Sequence, residues 1–443
     1  MARKPAAVSL SDVLGLSRLL FDAADGVTGI VEQMHNSILA TPGVAPIGQD
    51  VTGGVTQPVY RGVRGAFRLT GKGIGGAAAL VDAKPDDRPT SPGREVALAA
   101  LNGIVGDHLA STGNPLALPM RFRHRGRALK LDRALLAKAF PDATGKLAVL
   151  VHGLCLSDLQ WTRQNHDHGA ALAHELGYTP IYLSYNSGLH ISINGRAFAD
   201  ALEALLAEWP VKIEDFVVVG HSMGGLVARS ACRYGEEAGH AWRDDLRELI
   251  FLGTPHHGAP LERIGNWVDV ILGKTPYAAA FARLGQIRSA GVTDLRYGNL
   301  MDEDWQGHDR FARAPDTRRA VPLPDGVACY AIAATTAASP GGVKDRLVGD
   351  GLVTVASALG RHKDRARALE FPADRQCVVC ETGHLDLLSR SDVYEQVARW
   401  LAGEAPAKRS PRPRCASPRA SASRRERRGE GSGRSPPRRR RWS

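Results

Sequence analysis

The chain has 443 residues, 43% of them hydrophobic, and a formal net charge of +11. That length suffices for one large domain with extensions or for two domains. Six cysteines are too few for a disulfide framework, and no uncharged apolar run reaches the about 18 residues that would span a membrane. The charge is not a property of the whole chain. Residues 404–443 carry fourteen of the 57 Lys/Arg and three of the 46 Asp/Glu, so the preceding 403 residues hold 43 of each and are neutral.

Met1-Ala-Arg-Lys is basic, but Ser11, Asp12 and Arg18 interrupt the apolar core that a signal peptide needs, and the expected compartment is cytoplasmic. Residues 8–40 carry apolar side chains at helical spacing (Leu16, Leu19, Leu20, Ala23, then Val27, Ile30, Val31, Met34), with Ser9 or Ser11 as N-cap. Further helical runs cover 58–82 and 94–110. Residues 1–114 thus read as a helical extension whose apolar stripes pack on the rest of the chain and which carries no recognisable chemistry.

Near 118 the period changes from helical to alternating. Met120 and Phe122, the turn Arg125-Gly126, and Ala128 to Leu131 read as a β-hairpin. Strands and helices then alternate, with strands at 147–151, 179–184, 216–219, 249–252, 327–333 and 376–379. Helices are expected at 167–176, 195–208, 223–236 and 391–402. Such alternation predicts an α/β fold with a mostly parallel sheet covered on both faces.

The strand at 147–151 runs into His152-Gly153-Leu154-Cys155, and the strand at 179–184 into a polar loop, Tyr185 to Gly195. Between them His166, Asp167 and His168 read as the capped start of a helix rather than as a metal site. Phe216-Val-Val-Val then leads through Gly220-His221-Ser222-Met223-Gly224-Gly225 into an apolar, helix-compatible run. Strand, G-x-S-x-G, helix is the context of a nucleophile elbow, in which Ser222 sits on a strained turn at a helix start. The helix dipole and the free N–H of Met223 are there to stabilise a developing oxyanion.

Phe251-Leu-Gly-Thr-Pro-His256-His257-Gly follows the next strand, and residues 261–320 read as a helical insert whose apolar face contains Trp267, Val268, Val270, Ile271 and Leu272. After the strand at 327–333 comes Gly349-Asp350-Gly351-Leu352-Val353, with Asp345 and Asp374 as rival carboxylates. Glu381-Thr-Gly-His384 follows the last strand. Cys377-Val-Val-Cys380 has no second C-x-x-C to complete a zinc site and reads, like the other cysteines, as core thiols of a reducing compartment.

These segments, over about residues 115–402, resemble the α/β-hydrolase superfamily, in its lipase and esterase branch similar to the α/β domain of GPI inositol-deacylases. The resemblance implies an α/β-hydrolase fold for residues 115–403, with 261–320 as a helical cap or lid. It implies Ser222 as nucleophile, Asp350 as triad acid and His384 as base, in the chain order of the superfamily, which argues against His256 or His257 as the base. The N–H groups of Met223 and Leu154 would form the oxyanion hole, and His152, Gly153, His221 and His256 would lie against the substrate.

The expected activity is hydrolysis of carboxylic esters, lipid esters included, by a serine hydrolase that needs neither cofactor nor metal. The alternatives are an acyltransferase with the same triad and a non-catalytic binding module of the same fold. The relatives named are membrane proteins, a departure that leaves the glycolipid substrate open. Residues 404–443 are Arg, Ser and Pro with few apolar side chains and are expected to be disordered; weak contact with a membrane surface or a nucleic acid is the partner such charge would allow.

Overall fold

The computed structural model describes residues 92–260, 288–310, 312, 315–339 and 348–403. The helices expected over 8–40 and 58–82, the apolar face at 267–272, the rival Asp345 and the basic tail lie outside them. The strands are β1 (Arg121–His124), β2 (Arg127–Ala128), β3 (Lys146–Val151), β4 (Thr179–Ser184), β5 (Asp215–His221), β6 (Leu246–Leu252), β7 (Ala328–Ala334) and β8 (Gln376–Val379). The helices are α1 (Pro92–Ser111), α2 (Arg133–Ala139), α3 (His168–Leu176), α4 (Ile191–Ala207), α5 (Met223–Ala238), α6 (Trp242–Asp245), α7 (Ala290–Asp294), α8 (Val355–Ala358) and α9 (Ser391–Leu401).

The strands form one eight-stranded sheet in the order β2-β1-β4-β3-β5-β6-β7-β8. β1 runs antiparallel to β2 and β4, and the pairs from β4 to β8 are parallel. The mostly parallel sheet with an antiparallel hairpin at one edge is the architecture expected. Arg125 (φ 49°) and Gly126 (φ 73°) both take the left-handed backbone that a two-residue hairpin turn with the right twist requires. From β3 the chain winds outward to β4 and then returns to place β5 on β3's other side, so the strand order reverses between β3 and β5. Sites in open α/β sheets sit beyond the carboxyl ends of the strands at such a reversal.

Alternation along each strand divides the apolar residues between two cores. Leu147, Val149 and Val151 of β3, with Phe216 and Val218 of β5, face a cluster that includes Ile104 and Leu109 of α1, Phe198 of α4 and Leu226 of α5. Ala148, Leu150, Val217 and Val219 face the other way, onto Leu172 of α3 and Val393 and Val397 of α9. Among the described residues no helix is long and apolar enough to cross a membrane.

Several elements differ from expectation. α2 was not foreseen, although Asp132 caps it by accepting from the Leu135 N–H at 3.0 Å. α4 starts at Ile191, four residues early, because its first N–H is capped by the distant Asp294 carboxylate, at 2.9 Å. The described part of the insert, 288–320, holds only α7 and a 3-10 turn at Asp302–Asp304 as helix, the rest being irregular. As for the cysteines, Cys155, Cys232 and Cys329 are buried thiols, whereas Cys380 is disulfide-bonded, which corrects its reading as a core thiol.

Candidate active site

Ser222 stands in the turn between β5 and α5 with φ 54° and ψ −126°, a conformation that costs a residue with a Cβ about 1–3 kcal/mol. Close packing leaves the turn no alternative. A Cβ on Gly220 would come within 2.6 Å of the Gly225 Cα, and one on Gly224 within 2.3 Å of the Val151 carbonyl oxygen, so strand and helix approach to a distance only glycine allows. The Ser222 N–H donates to the Leu252 carbonyl at 2.9 Å, which ties the turn to the end of β6. Met223 opens α5, where the first-turn N–H groups have no acceptor within the helix.

His384 follows β8 and Asp350 follows β7. The His384 Nδ1 and the Asp350 Oδ2 are 2.6 Å apart, and both side chains are 1% exposed. Asp350 is held from behind: its Oδ1 accepts from the N–H groups of Leu352 (3.0 Å) and Val353 (2.8 Å). The His384 N–H donates to the Asp350 carbonyl at 3.1 Å, so the two loops are fixed through backbone as well as side chain. The rival Asp374 lies in a 3-10 turn that leads into β8, at the opposite end of the strand from His384.

The imidazole of His384 is brought towards the Ser222 turn through the end of β6. Gly253 directly follows Leu252, the acceptor of the Ser222 N–H. It has φ 60°, and a Cβ there would stand 3.2 Å from the His384 Cε1 and 2.7 Å from a Leu387 methyl. His221, on the other side, donates from Nε2 to the His384 carbonyl at 3.1 Å. Complete burial, reinforced by the neighbouring His384, holds the His221 imidazole well below its usual pKa, so it is neutral and can serve as that donor.

Beyond β3, Gly153 presents its bare Cα to the nucleophile turn; a Cβ would be 2.9 Å from that of Ser222. His152 is buried, its pKa lowered to about 4 chiefly by desolvation, and its Nδ1 donates to the Gly153 carbonyl at 2.9 Å. Tyr185 stacks on it and donates to the His152 carbonyl at 2.8 Å. Cys155 has φ 61°, and its N–H donates to the Ser187 hydroxyl at 3.1 Å. Among the described residues the Leu154 N–H, between these anchors, donates to no acceptor. The polar loop after β4 is thus the brace of the loop after β3. Its aromatic-polar sequence was the available signal.

His256 is enclosed by Phe251 and Phe371, with the Arg229 guanidinium 3.3 Å from its Nδ1. His257 accepts from Arg318 at 2.8 Å and donates to the Gly360 carbonyl at 2.9 Å. Among the described residues neither is hydrogen-bonded to Ser222 or Asp350, and burial lowers the pKa of both. Asp167 caps α3 as expected, while His168 is buried and donates from Nε2 to the Leu387 carbonyl at 2.8 Å, supporting the turn that carries His384.

Geometry and chain order thus bring together a strained serine at a helix N-terminus, a histidine fixed by a buried carboxylate, and a backbone N–H from a neighbouring strand end. Residues 143–317 match the family model described as the PGAP1-like alpha/beta domain. The mature form of the Bacillus licheniformis lipase BlEst2 is similar at 18% identity and a TM-score of 0.36, over 58% of this chain and 91% of that one. The Pyrococcus furiosus esterase Pf2001 is similar at 13% identity and a TM-score of 0.34, over 60% and 82%. A lipase-esterase related protein from Clostridium acetobutylicum shows 14% identity and a TM-score of 0.30, over 59% and 94%. No curated protein matches the chain.

Proposed function

We propose that this chain is a serine hydrolase of the α/β-hydrolase superfamily that cleaves carboxylic esters through an acyl-enzyme. The observation that carries the reading is the buried His384–Asp350 pair, 2.6 Å apart, on loops that converge with the Ser222 turn at the end of β6. Asp350 accepts the Nδ1 proton of His384, which fixes the tautomer and leaves Nε2 basic. The Ser222 hydroxyl adds to the acyl carbon as Nε2 takes its proton. The N–H groups of Met223 and Leu154 hold the oxyanion, preorganised by the helix start and by the braced loop after β3. Nε2 returns the proton to the leaving alcohol, then takes one from water as the acyl-enzyme is hydrolysed.

Gly153 and His221 form the floor of the site and His152 supports it. His256 acts from behind, as part of the packing that holds the loop after β6. Leu154, Met223 and Leu387 are buried around the nucleophile turn, an apolar setting that favours an acyl chain over a charged acid and inclines the substrate towards lipid esters.

The test is hydrolysis of p-nitrophenyl esters from acetate to palmitate by the wild type beside Ser222→Ala and His384→Ala. Activity lost in both variants supports the mechanism, and the preferred chain length separates esterase from lipase. Turnover that survives in Ser222→Ala rejects it.

A further inference from the structure

α1 lies outside the sheet and its crossovers, yet it is packed on the loops after β3 and β4 beside the nucleophile turn. A Cβ on Gly103 would lie 2.2 Å from the Cys155 Sγ and 2.9 Å from the Cys155 N and Cα, so the helix backbone rests directly on the residue after Leu154. One turn on, a Cβ on Gly106 would lie 1.9 Å from the Asn186 Oδ1, and the Asn186 amide donates to the Gly106 carbonyl at 2.8 Å. α1 is interrupted between them: Val105 has φ −131° and ψ 19°. At that break the Gly103 carbonyl accepts from the Ser289 hydroxyl at 2.6 Å, so a side chain from the cap segment is inserted where the helical ladder is disturbed. Asp107 accepts from the Ala290 N–H at 3.0 Å and from Arg310 at 2.5 Å. Asn102, fully buried, donates to the Leu98 and Leu116 carbonyls and accepts from the Leu118 N–H, which locks α1 to the chain leading into β1.

We infer that Gly103 is a positioning residue for ester hydrolysis, its bare backbone acting as the stop against which Cys155 seats and thereby setting where the Leu154 N–H points. The inference rests on the proposed ester-hydrolase reading. Two observations support it beyond close packing. Cys155 holds a left-handed φ of 61°, a conformation that persists only where its surroundings impose it, and its thiol is fully buried and pushed up to about 12, which leaves it no nucleophilic role of its own. The other anchor of that loop, Ser187, sits between Asn186 and Gly188, and Gly188 too is packed on α1: a Cβ there would be 2.1 Å from the Asn102 carbonyl oxygen. One helix therefore sets both sides of the loop that offers the oxyanion donor.

The experiment uses the full chain and exchanges bulk across the contact. Gly103→Ala should lower kcat about 10- to 100-fold, less than or equal to the loss of a whole oxyanion donor, with KM within about twofold. Inhibition by a trifluoromethyl ketone, whose hemiketal mimics the oxyanion, should weaken in parallel with kcat/KM. Cys155→Gly added to Gly103→Ala should restore part of the kcat, because it removes the sulfur, the nearest atom the new methyl strikes, and frees the residue 155 backbone to shift from the remaining 2.9 Å contacts. A merely structural role would lower the melting temperature without splitting kcat from KM. The inference is overturned if Gly103→Ala keeps kcat within twofold, or if its loss falls on KM or is indifferent to Cys155→Gly. Should Gly103→Ala alone not fold, Cys155→Gly alone tests the same seat by loosening it: a several-fold fall in kcat at constant KM supports the inference, and unchanged kcat rejects it. A wild type inactive on every ester would reject the hydrolase reading instead, and that result is distinct from all of these.

Discussion

Tyr185 lies nearly flat on His152, ring centroids 4.4 Å apart, and donates its hydroxyl to the His152 carbonyl at 2.8 Å. The pair joins the loop after β4 to the residue that precedes Gly153. Tyr185→Phe would keep the stack and leave a buried carbonyl without its donor, a loss of about 1–3 kcal/mol. The expected outcome is a melting temperature lower by several degrees and ester turnover reduced several-fold, as Gly153 and Leu154 relax. Thermal unfolding followed by steady-state kinetics checks both, and unchanged values would show that the brace is dispensable.

Asp350→Asn separates charge from shape. The amide oxygen can still accept from the Leu352 and Val353 N–H groups, so the loop should keep its form. The amide nitrogen would then face His384 Nδ1 and favour the tautomer with its proton on Nε2, the wrong nitrogen for a base. A kcat loss of about 10³–10⁴-fold with little change in melting temperature is expected. A loss of less than tenfold would indicate that another carboxylate orients His384.

Acid should destabilise the protein through histidines that stay neutral when folded. His152 and His168 are buried, and desolvation is the first cause that lowers each to about 4. In the unfolded chain they titrate near 6.5. Between those values the unfolded state binds more protons, so stability falls as pH drops from about 6.5 towards 4, by up to about 3 kcal/mol per residue. In His168→Gln the loss of unfolding free energy between pH 7 and pH 4.5 should be smaller than in the wild type by about 2 kcal/mol. Denaturant melts at the two pH values measure it, and an identical loss in both proteins would reject this assignment.

The parts of this fold that repeat locally were readable from the chain. The valines of β5, the glycines around Ser222 and the Arg125-Gly126 turn each carry their conformation in a few adjacent residues, and the alternating pattern led directly to a mostly parallel sheet. What was not readable depends on partners far away in sequence. The start of α4 is set by Asp294, about a hundred residues on. The seat of Cys155 is set by Gly103, which alone looks like an unhelpful glycine in a helix. Gly253 appeared only as part of a strand end, and nothing local shows that its missing side chain makes room for the His384 ring. Ser222, Asp350 and His384 could be singled out as candidates from the motif, the strand order and the resemblance, whereas the loop contacts around them needed the packed structure.

The backbone at Ser222 bears on how such a protein can change over time. Its φ of 54° and ψ of −126° would suit glycine, which has no Cβ to strain. Exchange to glycine would therefore relax the turn while removing the hydroxyl. Stability and chemistry make opposite demands at this one position, so selection for durability alone would drive the chain towards an inert relative with the same fold. On the proposed mechanism, the serine bears that cost for the hydroxyl it supplies.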